Sequence, residues 1–203
     1  KLGTYALIVA PIFVLTNTSV MYGYASGFSR PNYHRGRAYL KQIGREGDAL
    51  SEFKIALHKH PGDPDIYEAM GYAYTRQGNL KKAEACYKKA LDIEESFPKA
   101  MNSLGVIYAK QGRMDVAKET FEKIIKNFPL ESTNAYINLG NCYRMEGDYR
   151  MAEKKYEKAL LTDPENPNVL NKLWSLYEEM GDPRSKKIKN MYENALKKMK
   201  HSA

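Results

Sequence analysis

The sequence predicts an all-α fold, an α-solenoid of about five antiparallel helix pairs, and three observations carry that expectation. Gly71, Gly105 and Gly140 recur at intervals of 34 and 35 residues, each followed three residues later by a tyrosine, Tyr74, Tyr108 and Tyr143. Behind each comes a second glycine (Gly78, Gly112, Gly147), an alanine (Ala83, Ala117, Ala152), an aromatic (Tyr87, Phe121, Tyr156) and a further small or aliphatic residue (Ala90, Ile124, Ala159). Pro61, Pro64, Pro98, Pro129, Pro164 and Pro167 stand at the junctions, where a residue that cannot continue a helix interior marks the stops and starts.

The elements follow in order. Residues 2–29 carry no charge, and Tyr5–Leu15 is almost continuously apolar. The segment 1–29 is therefore expected to be an apolar signal or membrane-anchor helix. As a signal it would end at Gly23-Tyr24-Ala25; as a retained anchor it has the length to cross a bilayer of roughly 20 helical residues. The retained or membrane-embedded reading is preferred, although Asn17 and its Thr and Ser neighbours weaken it. Residues 30–203 form the repeat domain. In its first unit (30–63), Ala49, Phe53, Ala56 and Pro61 define a second helix, while the first helix has two registers, Gly36/Tyr39 or Arg37/Leu40. Units 64–97, 98–132 and 133–166 carry the full pattern. In each, Gly and Ala let a neighbouring helix approach and the aromatic fills the hole beside them. The last unit (167–203) has Leu173-Trp174 where the others have a residue followed by glycine, keeps Tyr177 and Gly181, and ends in a helix with an apolar stripe of Ile188, Met191, Tyr192, Ala195, Leu196 and Met199 under lysines. That helix is expected to cap the stack. One pair cannot bury its apolar face alone, so pairs must stack.

This pattern resembles the tetratricopeptide repeat, most closely at Met70-Gly71-Tyr72-Ala73-Tyr74, Leu104-Gly105-Val106-Ile107-Tyr108 and Leu139-Gly140-Asn141-Cys142-Tyr143. The resemblance implies a right-handed solenoid whose first helices line a concave groove that contacts extended peptides or partner helices. Carried onto this chain, the groove would include Glu68, Tyr72, Arg76, Lys99, Asn102, Lys110, Asn138, Asn141, Arg144 and Asn171. Asn134 and Asn168 lie on the same face but near helix starts, where capping competes. Asparagine offers both donor and acceptor, so a ladder of it can hold an extended backbone. Some relatives clamp a chaperone's C-terminal carboxylate, but Val106 and Ile137 stand here where polar clamp residues would be needed, which disfavours a co-chaperone role.

Composition narrows the remaining classes. The apolar fraction is 43% and the charged fraction 28%, a folding composition. Net charge is +8, distributed unevenly: residues 1–60 hold eight Lys/Arg against three acids, residues 184–203 seven against one, and residues 61–183 seventeen against twenty. The acidic middle opposes a continuous phosphate track, so nucleic acid is an unfavoured partner. No Gly-rich phosphate loop, nucleophile elbow or H-E-x-x-H is present, and no catalytic residue, metal or cofactor is expected. Cys86 and Cys142 read as small hydrophobes, and His58 and His60, two apart, cannot share a metal on a helix. The expected function is a non-enzymatic scaffold in a membrane-associated multi-subunit complex. It would bind other subunits through the groove and the basic C-terminal helix, and the membrane through residues 2–28. Arg30, Arg35 and Arg37 after the apolar run argue for the cytoplasm, but the signal-like order of elements favours an extracytoplasmic (periplasmic or lumenal) repeat domain. A self-assembling, filament-forming subunit is the alternative.

Overall fold

In a computed structural model, the structure describes residues 30–201, with the side chain of His201 not described; the anchor expectation for residues 1–29 lies outside them. Among the described residues there are ten α-helices and no strand. The chain divides into two compact units, one ending at Gly62 and one beginning at Asp63.

The first unit is a single pair, α1 (Pro31–Leu40) and α2 (Glu46–Lys59). A Cβ placed on Gly36 would come within 2.5 Å of the Phe53 ring. Arg45 lies over Tyr39, 4.4 Å from the ring centroid. Gly36/Tyr39 is therefore the register that places the close-approach glycine against its aromatic. The left-handed turn glycine, Gly44 (φ 80°), follows Gly36 by eight residues rather than the seven of the later pairs, and this extra residue blurs the sequence pattern. Asn32 is buried, donating to Glu52 at 2.7 Å and accepting from Lys59 at 3.0 Å.

The second unit stacks four pairs: α3 (Pro64–Arg76) with α4 (Leu80–Ile93), α5 (Pro98–Lys110) with α6 (Met114–Asn127), α7 (Thr133–Met145) with α8 (Tyr149–Thr162), and α9 (Pro167–Met180) with α10 (Ser185–His201). Proline opens α3, α5 and α9, where its missing N–H costs nothing. Asp63, Asn79, Asp148 and Asn166 cap α3, α4, α8 and α9 through their side-chain oxygens. The 35-residue interval comes from a short 3-10 turn, Pro129–Glu131, held by the Ser132 hydroxyl donating to the Pro129 carbonyl at 2.7 Å.

Each pair closes in the same way. Gly78, Gly112, Gly147 and Gly181 take φ between 65° and 82°. The next residue's N–H then bonds back to the carbonyl of Tyr74, Tyr108, Tyr143 or Tyr177 at 2.9 Å, the closure that a left-handed residue after a helix permits. Gly71, Gly105 and Gly140 lie flat against Tyr87, Phe121 and Tyr156, where a Cβ would meet the ring at 2.6–2.7 Å. Ala83, Ala117 and Ala152 are fully buried beside those rings. Tyr87, Leu104, Phe121 and Leu139 share one continuous core, and Tyr156, Val169, Leu173 and Tyr177 extend it into the last pair. In that pair Trp174 replaces the glycine, and its ring meets Tyr192 at 5.9 Å, so α9 and α10 are spaced by an aromatic contact.

Candidate partner-binding face

The first helices touch their successors directly, α3 to α5, α5 to α7 and α7 to α9, whereas the second helices are further from one another. Side chains on the exposed side of the first helices are therefore close enough to bond laterally from pair to pair.

They do so at three levels. The buried Glu68 carboxylate of α3 accepts from Lys99 at the start of α5, at 2.7 Å. Asn138 of α7 donates its amide to Asn102 Oδ1 of α5 at 2.9 Å. Arg144 of α7 pairs with Glu179 of α9 through Nε at 2.9 Å and through a second, shorter contact. Asn141 points inward, accepting from the Tyr156 hydroxyl at 2.8 Å. Of the other expected residues, Tyr72 is 47% exposed, Arg76 is half-buried in the last turn of α3, and Lys110 and Asn171 are exposed. Neither Asn134 nor Asn168 caps a helix: Asn166 caps α9, Ser132 makes no side-chain cap on α7, and Asn134 and Asn168 are exposed.

The lateral bonds leave a specific remainder. In the Asn102–Asn138 pair one donor and one acceptor are used, so the Asn102 amide nitrogen and Asn138 Oδ1 remain for a ligand. Those two groups match the acceptor and donor of one peptide unit. Among the described residues no buried side-chain donor or acceptor lacks a partner, so the interior offers no orphan group aimed at a substrate. No group of three or more His, Cys, Asp or Glu among the described residues could hold a metal, and no helix among them is long and apolar enough to cross a membrane.

Titratable groups follow burial and pairing. Burial pushes the Tyr87 and Tyr156 phenols up to about 12, and the Cys86 and Cys142 thiols up to about 11. Glu84 of α4 is held down at about 2 by Lys88, with Gln111 and Arg113 of the next pair adding to it. One recurring device escaped sequence reasoning. Every repeat tyrosine carries a cation over its ring: Arg45 on Tyr39, Lys82 on Tyr74, Arg113 on Tyr108, Lys118 and Lys155 on Tyr143, and Arg184 on Tyr177, at 4.2–5.8 Å. A basic residue directly after the turn glycine, Arg45 and Arg113, was the available signal in two of the five.

Comparison with known proteins finds the same repeat in the middle of the chain. Family models described as TPR repeat and tetratricopeptide repeat match residues 71–112 and 96–165. The helix pairs within residues 71–165 match tetratricopeptide repeat models. Tetratricopeptide repeat protein 16 of Macaca fascicularis is 26% identical over 149 residues, covering 68% of this chain but only 17% of that protein. Among solved structures, PilW, a widely conserved type IV pilus biogenesis factor, superposes with a TM-score of 0.72 at 18% identity, covering 82% of this chain and 76% of PilW. Pseudomonas aeruginosa pilF gives 0.70 at 20% identity, over 81% and 74%. At these identities the likeness is one of fold. The matched families are repeat modules rather than enzyme families.

Proposed function

We propose that this tetratricopeptide repeat chain is a non-enzymatic scaffold that holds partner polypeptides of a membrane-associated complex on its first-helix face, with the repeat domain on the extracytoplasmic side. The observation that carries the reading is the Asn102–Asn138 pair, whose remaining donor and acceptor suit a peptide unit without demanding a particular side chain. Exposed Tyr72 adds an aromatic surface one pair earlier, and Lys110 and Asn171 add polar contacts along the face. The basic α10 is a second surface for other subunits. The likeness in fold to a pilus biogenesis factor supports a place in an envelope assembly. The test is photo-cross-linking from position 72 in native membranes, followed by identification of the adduct. A reproducible protein adduct, lost when Asn102 and Asn138 are both changed to alanine, is expected. Recovery of the chain as a partner-free monomer, without adducts, overturns the proposal.

A further inference from the structure

The last helix is the most lopsided in charge: Lys186, Lys187, Lys189, Lys197, Lys198 and Lys200 stand against Glu193 alone. Its apolar stripe is only partly used by the fold. Ala195 is buried and Ile188, Tyr192 and Leu196 are half-buried, but Met191 remains 37% exposed. Met191 borders a groove of about 730 Å³ that is also lined by Pro164, Leu170, Ala195, Glu165 and Lys198. Glu165 and Lys198 are paired across it. Lys187 precedes Met191 by one helical turn, so Lys187, Met191, Ala195 and Lys198 form one stripe of about 16 Å at 1.5 Å per residue.

We propose that this groove docks an acidic amphipathic segment of a partner protein, its apolar side chains seated against Met191 and Pro164 and its carboxylates on Lys187 and Lys198. The proposal rests on the reading that the chain binds proteins, but it uses a different surface from the first-helix face. Charge complementarity selects an acidic occupant. Recess selects a polypeptide over a bilayer: a groove of about 730 Å³ receives side chains, whereas a planar lipid surface passes over it. Glu165 already supplies a carboxylate to Lys198, so the occupant exchanges with it. The chain's own uncharged stretch, residues 2–29, has no carboxylate to offer.

That exchange gives the test a sign no generic basic patch would show. The full chain is titrated with a fluorescent helical peptide, about 14 residues long, with leucine at alternating three- and four-residue spacing and glutamate elsewhere. A glutamine version serves as control. Lys187→Gln with Lys198→Gln is expected to weaken binding about tenfold, while Glu165→Gln strengthens it by removing the competing carboxylate. Met191→Gln, exposed and therefore tolerated by the fold, weakens it further. Equal binding of the glutamine peptide, or indifference to all these substitutions, overturns the proposal. So does retention on phosphatidylglycerol vesicles without peptide binding, or a concentration-dependent rise in mass abolished by the same lysine changes, which assigns the groove to lipid or to a second copy. Tyr72→Glu, on the first-helix face, leaves the peptide titration unchanged, so the loss of cross-linked partner at position 72 and the loss of peptide at the groove are read separately.

Discussion

Replacing Gly140 with alanine tests the packing device on which the repeat depends. The new methyl would stand 2.6 Å from Tyr156 Cε1 and 2.7 Å from Cδ1, whereas ordinary contact begins at 3.4 Å, so the ring must retreat by nearly an ångström. Tyr156 is fully buried and its hydroxyl is tied to Asn141 at 2.8 Å, which removes the easy direction of movement. Overpacking of this kind costs about 1–3 kcal/mol. Stretching the hydroxyl bond costs about 1 kcal/mol more, and the better helix propensity of alanine returns about 1 kcal/mol. The expected net loss is about 1–3 kcal/mol, read as a lowered urea midpoint by far-ultraviolet circular dichroism. Gly105→Ala, whose partner Phe121 has no hydroxyl to lose, should cost about 1 kcal/mol less, the size of one hydrogen bond. Combining Gly140→Ala with Tyr156→Leu should recover part of the loss, a coupling that only contacting residues show. A Gly140→Ala chain as stable as its parent refutes the reasoning.

Three further outcomes follow from the same geometry. Asn141→Ala leaves the Tyr156 hydroxyl without its acceptor and should lower stability by about 1–3 kcal/mol while leaving partner capture intact, checked by denaturation alongside cross-linking. Burial raises the folded pKa values of Tyr87 and Tyr156 to about 12 against about 10 unfolded, so the native state binds their protons more tightly; stability from them is present below about pH 10 and declines as pH rises towards 12, seen as falling urea midpoints with delayed ionisation of the buried tyrosines, these two among them. Glu84 runs the opposite way: its depressed pKa favours the fold above the ordinary carboxylate range and is lost as pH falls towards 2, so Glu84→Gln should flatten the acid side of the stability profile, and an unchanged profile refutes its tethering role.

The fold was legible because its determinants are short-range and periodic. A glycine, a tyrosine three residues on and a turn glycine seven residues on specify contacts within one pair, and Gly71, Gly105 and Gly140 all make them. Legibility failed at Gly36 for a local reason: an eight-residue interval to Gly44 displaced one marker from the others, and only the Phe53 contact distinguishes the registers. At Trp174 the sequence showed a bulky residue in the place of the glycine, but not that the Tyr192 ring would meet it. The face was less legible because its chemistry lies between pairs. Glu179 never entered the expectation, since its role is defined by Arg144, 35 residues away. The caps at Asn134 and Asn168 failed by two residues or less, the distance at which helix starts shift without altering periodicity.

These lateral bonds also partition the face. Glu68, Asn141 and Arg144 spend their polar groups on Lys99, Tyr156 and Glu179, so a ligand that reached them would break one bond for each it made, with little net gain. Their physical contribution is to set the spacing of α3, α5, α7 and α9. Tyr72, Lys110, Asn171 and the outer half of the Asn102–Asn138 pair have groups still directed outward, and contact with these carries no such exchange. A partner gripped there gains from few, separated contacts, an arrangement that favours an extended segment spanning several repeats over a compact epitope. The discriminating experiment compares Tyr72→Ala with Arg144→Ala. The first should cut partner capture with the urea midpoint unchanged. The second should lower the midpoint and leave capture by the folded chain intact; a reversal of those two readouts would show that the paired side chains, and not the open ones, meet the ligand.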